Sequence, residues 1–266
     1  MERVSKSLFH KVVSFALAAA MVFSMVVVIK PQAASAAEFS LKAKGGTVLI
    51  TDEACTYVTG EDAWIKYKAS ADGYLQLKFS SNSQLASYVA GEARLYDKNK
   101  SKYLSETLTY DTSSTSASAT TECYGVKKGT TYYIRVASIG GVKINAAFKR
   151  VKDKSGVKKS KALNLKKGKN TVGIIQAGST KSHWFKFNIT KNQKLTFNIT
   201  PYLTGPVSLT VSGPGVKTNT FTINTGFWGK KYPVATQGKL KRTGTYYAQV
   251  KPASKICSGY YKVSWK

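Results

Sequence analysis

Trp64-Ile-Lys-Tyr-Lys-Ala-Ser-Ala-Asp-Gly-Tyr-Leu-Gln-Leu-Lys-Phe-Ser80 lies without a gap over Trp184-Phe-Lys-Phe-Asn-Ile-Thr-Lys-Asn-Gln-Lys-Leu-Thr-Phe-Asn-Ile-Thr200. Only a Trp, a Lys and a Leu are identical, yet the apolar pattern is shared throughout. In the second segment Phe185, Phe187 and Ile189 alternate with Trp184, Lys186 and Asn188. After a polar turn, Leu195, Phe197 and Ile199 alternate with Thr196 and Asn198. Period-two alternation on both sides of a short polar stretch predicts a β-hairpin with one face buried. The first segment repeats this with Ile65 and Tyr67, an Ala-Asp-Gly turn, then Leu75, Leu77 and Phe79.

The match extends outward. Lys127-Lys-Gly-Thr-Thr-Tyr-Tyr-Ile-Arg-Val136 parallels Lys241-Arg-Thr-Gly-Thr-Tyr-Tyr-Ala-Gln-Val250, a glycine turn feeding a Tyr-rich strand. Each copy opens alike, with Thr47-Val-Leu-Ile and Thr171-Val-Gly-Ile, and each closes on a strand-like run, Ile144 to Phe148 and Tyr260 to Trp265. A period this long is a domain duplication; solenoid units run about 20–50 residues. No 3.6-residue pattern is sustained beyond the amino terminus. The fold class expected is all-β: two tandem β-sandwich, jelly-roll-like domains after an N-terminal signal helix. The boundaries read as a signal peptide over 1–37, a first sandwich over 38–150, a linker over 151–156 within a polar Lys-rich joint, and a second sandwich over 157–266. The Ser/Thr-rich run Asp111 to Thr121 reads as a flexible excursion between strands of the first copy.

The signal assignment rests on a basic start (Arg3, Lys6, Lys11), an uncharged run from Val12 to Ile29, and Ala33-Ala34-Ser35-Ala36-Ala37, which offers small residues for cleavage after Ala36 or Ala37. No later stretch is apolar enough to span a bilayer, so export from the cell is expected, either outside it or onto the wall. The alternative is that the same run is kept as an anchor.

The Trp-x-Lys-aromatic strand and the late Gly-x-Tyr-Tyr strand resemble those of the bacterial pre-peptidase C-terminal domain family, here in two tandem copies. The matching residues are Trp64 to Tyr67 with Gly129 to Val136, and Trp184 to Phe187 with Gly244 to Val250. The resemblance implies small β-sandwiches without catalytic activity that accompany a secreted enzyme, often a peptidase.

Charge is the strongest functional signal. The chain carries a net +28, unevenly distributed: residues 38–150 have 15 basic and 11 acidic groups, whereas residues 151–266 have 22 basic groups and one acid, Asp153. Self-repulsion on this scale costs folded stability, so the second half is expected to meet a polyanion. The partners expected are an anionic polysaccharide, teichoic acid or acidic glycan, with a secreted enzyme as the docking alternative and nucleic acid as a further one.

Catalytic patterns are missing from the sequence. His183 is the one histidine beyond the signal segment, and a lone His at a strand start is expected to be structural. Asp52, Glu53, Glu61 and Asp62 flank Cys55 and read as surface acids near turns, with calcium as the sharper alternative. Cys55, Cys123 and Cys257 are odd in number, so a Cys55–Cys123 disulfide and buried free thiols both stay open. No cofactor is expected. Trp64, Trp184, Tyr132, Tyr133, Tyr246 and Tyr247 recur in both copies and are expected to pack, with the two tryptophans equivalent and largely buried. Unpaired in the repeat is Gly226-Phe-Trp-Gly-Lys-Lys-Tyr-Pro233. Its Trp228, Lys230, Lys231 and Tyr232 form the candidate ligand-binding set, because aromatic platforms interleaved with cations suit a sugar ring bearing anionic groups. A hydrophobic plug at one end of the sandwich is the alternative.

Overall fold

The computed structural model describes residues 36–51, 62–81, 88–113, 120–190 and 192–266. The signal segment, the acids at 52, 53 and 61, and Cys55 therefore lie outside the described residues, as does most of the Ser/Thr-rich run.

The first copy contains β1 (Glu38–Leu41), β2 (Gly45–Ile50), β3 (Ala63–Lys68), β4 (Gly73–Ser81), β5 (Tyr88–Tyr96), β6 (Leu108–Ser113), β7 (Thr120–Val126), β8 (Thr131–Ile139) and β9 (Val142–Arg150). The second contains β10 (Leu163–Asn164), β11 (Thr171–Ile175), β12 (His183–Ile189), β13 (Gln193–Leu203), β14 (Val207–Gly213), β15 (Val216–Ile223), β16 (Tyr232–Leu240), β17 (Gly244–Pro252) and β18 (Gly259–Trp265). In the first copy the sheets run β1-β3-β8-β5-β6 and β2-β9-β4-β7. In the second they run β10-β12-β17-β14-β15 and β11-β18-β13-β16, the same orders shifted by nine strands. Even the parallel pairing of the first strand with the third recurs. Apart from that added strand, each copy is two facing four-stranded sheets in jelly-roll order. The all-β sandwich expectation holds.

Alternation decides which side chains enter each core. Ile65, Tyr67, Leu75, Leu77 and Phe79 fill the first, and Phe185, Phe187, Ile189, Leu195, Phe197 and Ile199 fill the second. The same rule corrects the expectation for the tryptophans. Trp64 precedes inward Ile65 and shares the outer face with Lys66 and Lys68; Trp184 shares it with Lys186 and Asn188. Both are half-buried on the outside of their sheets and belong to neither core. Trp64 leans edge-on against Tyr96 at 5.1 Å, with the Lys100 ammonium 5.1 Å from its ring centre. The paired tyrosines divide likewise. Tyr132 and Tyr246 point inward, while Tyr133 and Tyr247 lie opposite Lys66 and Lys186 on the outer faces.

The joint at 151–162 is fastened along its length. Asp153 accepts the backbone N–H of Ser155 (2.7 Å) and of Ile174 (3.0 Å), and Gly156 exchanges backbone hydrogen bonds with Trp184. The sandwiches also meet directly. Tyr74 of β4 stacks on Tyr260 of β18 at 4.1 Å, and Tyr260 stacks on Tyr202 of β13 at 4.4 Å. Beside them the Ala177 N–H donates to the Gly125 carbonyl (2.8 Å), a backbone bond between the copies. Two glycines permit this approach. A Cβ on Gly125 would overlap the Ile175 carbonyl of the second copy; one on Gly259, whose φ is +128°, would crowd the Cys123 carbonyl of the first.

Phe187 is fully buried and stacks on Phe197, Tyr246 and Trp265, whereas Trp184 is half outside. Phe187→Ala should therefore cost about 3–5 kcal/mol and Trp184→Ala about 1–2 kcal/mol, read by urea unfolding. Equal losses would return Trp184 to the core.

Candidate functional site

The loop 226–233 enters through a 3₁₀ turn at Thr225–Phe227 and leaves as β16. The structure splits the four expected ligand-binding residues. Trp228 turns toward the junction and packs edge-on against Tyr202 at 5.7 Å, extending the tyrosine stack. Tyr232 turns the other way, edge-on to Phe227 at 4.7 Å, and closes the end of the second core. Both rings are half-buried; Lys230 and Lys231 between them are exposed. The loop is thus partly the plug anticipated as the alternative, with its two cations facing solvent.

Beyond the loop, the lysines of the second sandwich stand without carboxylates. The ion pairs among the described residues are Lys100–Glu38, Arg135–Asp62 and the contact of His183 with Asp153 at 3.5 Å. No lysine of the second sandwich appears in them. Asp153 is engaged by two backbone N–H groups and His183, and its single charge leaves the field of 22 basic groups unbalanced. Several cations lie over aromatic rings instead: Lys159 over Tyr247 at 4.7 Å, Lys262 over Tyr202 at 5.6 Å and Lys167 over Trp265 at 5.7 Å. Such contacts place the ammonium groups without neutralising them. Lys186, across the ladder from Tyr247, joins Lys159 to make one Lys–Tyr–Lys cluster on an outer face.

His183 is buried, with Nδ1 2.7 Å from the Tyr261 hydroxyl. Burial lowers its pKa while Asp153 pulls it up, leaving a structural imidazole. Asp62 pairs with Arg135 at 2.6 Å, which is a surface role. Cys123 and Cys257 are free, buried thiols. Burial pushes the Cys257 thiol up to about 12, and its Sγ–H donates to the Gly205 carbonyl. Neither has the character of a nucleophile.

Glu122 is a residue the sequence reading passed over. It lies on β7 with only 6 % of its surface exposed, and its Oε1 accepts the N–H of Cys123 at 2.9 Å. Burial pushes this carboxyl up to about 8, against the pull of that hydrogen bond. A cleft of about 470 Å³ opens beside it, between the β6–β7 edge of the first sandwich and the β13–β14 turn and Trp228 of the second. Glu122 sits opposite Leu77 in the β4–β7 ladder and in phase with inward Tyr124 and Val126, so alternation turns this acid toward the edge of the first core, while Cys123 faces the second copy.

No known protein family matches the chain, and no curated protein does. Solved structures resemble it weakly. Tripeptidyl peptidase 2 is 9 % identical with a TM-score of 0.28; the match covers 86 % of this chain but 24 % of that one, so the chain spans about a quarter of that protein. The CBM22-1–CBM22-2 tandem of Paenibacillus barcinonensis Xyn10C is 8 % identical over 73 % of this chain and 78 % of that one, with a TM-score of 0.24. The CUB1-EGF-CUB2 domains of rat MASP-1 are 10 % identical over 85 % and 99 % of the two chains, also with a TM-score of 0.24.

Glu122 makes stability depend on pH with a defined sign. Its carboxyl ordinarily titrates near 4.5 and in the fold near 8, so the native state holds a proton that the unfolded chain releases. The stabilisation is complete below 4.5, declines as pH rises, and is gone above 8. Glu122→Gln, which cannot ionise, should gain on the parent by a few kcal/mol across that window. Urea unfolding at both ends checks this; parallel pH profiles would contradict it.

Proposed function

We propose that this chain is a secreted, non-catalytic binding protein whose second sandwich adheres to anionic polymers at the cell envelope or beyond it. The observation that carries this reading is the uncompensated charge: 22 basic groups over residues 151–266, and a single acid already engaged inside the fold. A field of one sign concentrates polyanions near the surface, and multivalent contact releases their condensed counterions. Teichoic acid and acidic polysaccharides have the charge spacing such a surface meets. Lys230 and Lys231 protrude from the loop, and the Lys159–Tyr247–Lys186 cluster offers a second point of contact.

Membership of the pre-peptidase C-terminal domain class is part of the same proposal. The residues that carry the resemblance occupy equivalent strands, β3 with β12 and β8 with β17. Their outward Trp, Lys and Tyr side chains form repeated surface features.

The test is a salt titration of the full chain against wall teichoic acid and heparin. If about five or six lysines engage at once, raising salt from 50 to 200 mM should cost about two to three decades of affinity. Lys230→Gln with Lys231→Gln should flatten the log–log slope by about one to two. The same change at exposed Lys42 and Lys44 of the first sandwich should leave it alone. Salt-insensitive binding, or equal effects from both pairs, would sink the proposal and favour docking onto a partner protein.

A further inference from the structure

The cleft beside Glu122 has a chemistry opposite to that of the surface around it. Its described lining contains two carboxyl side chains, Glu106 and Glu122, and no lysine or arginine. Threonines come from both sandwiches, Thr107, Thr109 and Thr121 on one side and Thr204 and Thr225 on the other, the Thr204 hydroxyl being held by the Ile256 carbonyl and the Ser258 N–H. Leu203 and Pro206 contribute apolar surface, and Trp228 supplies an aromatic wall held in place by Tyr202. Among the described residues the only hydrogen bond to the Glu122 carboxyl is the one from Cys123 N–H, so acceptor capacity is left over.

Each class of ligand can be weighed against this lining. An anionic group would meet two carboxyls within the cleft. A free cation would have to approach through a field of net +28. A neutral polyol meets neither obstacle, and hydroxyls that both donate and accept match threonine and carboxyl partners equally well. The apolar wall suits the C–H face of a ring, and the volume lies within the roughly 300–1,000 Å³ of small-molecule sites. β7 is also the last strand of its sheet, so one backbone edge runs beside the cleft.

The geometry points to a saccharide site at the junction of the two sandwiches, which seats one neutral pyranose unit between Trp228 and Glu122 and is independent of the polyanion surface. The site exists only while the sandwiches stay docked, because each contributes one wall.

The experiment uses the full chain labelled with ¹⁵N, titrated to about 20 mM with cellotetraose, maltotetraose and chitotetraose. At least one should give saturable shifts confined to the amides around Thr107–Thr109, Thr121–Cys123, Leu203–Gly205 and Trp228. Its affinity should change less than about twofold between 50 and 500 mM salt, which separates this site from counterion-driven polyanion binding. Trp228→Ala should weaken it at least tenfold. Thr225→Arg, at an exposed rim position, should do the same by filling the cleft in a chain whose remaining spectrum is unchanged. No localised shift with any of the three sugars would overturn the proposal, and so would shifts that survive both substitutions. Loss of polyanion binding in the salt titration would leave this site untouched.

Discussion

Tyr74, Tyr260 and Tyr202 form a continuous stack across the boundary of two jelly rolls, beside the Ala177–Gly125 and Gln176–Asp72 hydrogen bonds that also join the copies. Each ring lies within 4.4 Å of the next, with interplanar angles of 18° and 7°. Offset stacks of buried aromatic rings stabilise beyond the area they cover. Here the outer members come from strands of different sandwiches. Gly125 and Gly259 allow the backbones close enough for the rings to meet, and Trp228 caps the far end. The same approach packs Cys123, on the outer face of β7, with Tyr74, Ile174 and Tyr260. A walled cleft is thus a consequence of docking, since each sandwich contributes one wall.

This junction also constrains where charge can go. The first sandwich holds nearly all the acids and satisfies part of its own field through Lys100–Glu38 and Arg135–Asp62. Among the described residues the second has no equivalent, so its cations repel one another and its single acid serves the chain's turn. Screening reduces the self-repulsion at physiological salt, and a polyanion would reduce it further. The two proposals would give the protein two recognition chemistries: a screened, multivalent one on the outside of the second sandwich and a neutral, directional one in the cleft.

Much of the architecture was legible in the sequence because it rests on period two. The inward sets Ile65–Tyr67 and Phe185–Phe187–Ile189 follow from alternation alone, and the repeat aligns strands that the topology makes equivalent. The same periodicity, applied consistently, places Trp64 and Trp184 outside; treating them as core because they recur confused repetition with burial. Trp228 and Tyr232 looked like a pair from their spacing, but a 3₁₀ turn and the start of β16 send them to different neighbours. Glu122 was illegible for a different reason. Alternation puts it in phase with inward Tyr124 and Val126, opposite Leu77, but an acid on that face reads as a solvated edge residue until the neighbouring strands and the second copy are in place.

The measurement closest to the centre of this account is calorimetric unfolding of the chain beside Tyr260→Ala. If the stack couples the sandwiches, the parent should unfold in one transition whose calorimetric and van't Hoff enthalpies agree. Removing the central ring should split that transition in two, with the first sandwich melting near its original temperature. Two transitions already present in the parent, or a single one that survives the substitution intact, would show that the jelly rolls stand side by side without depending on each other.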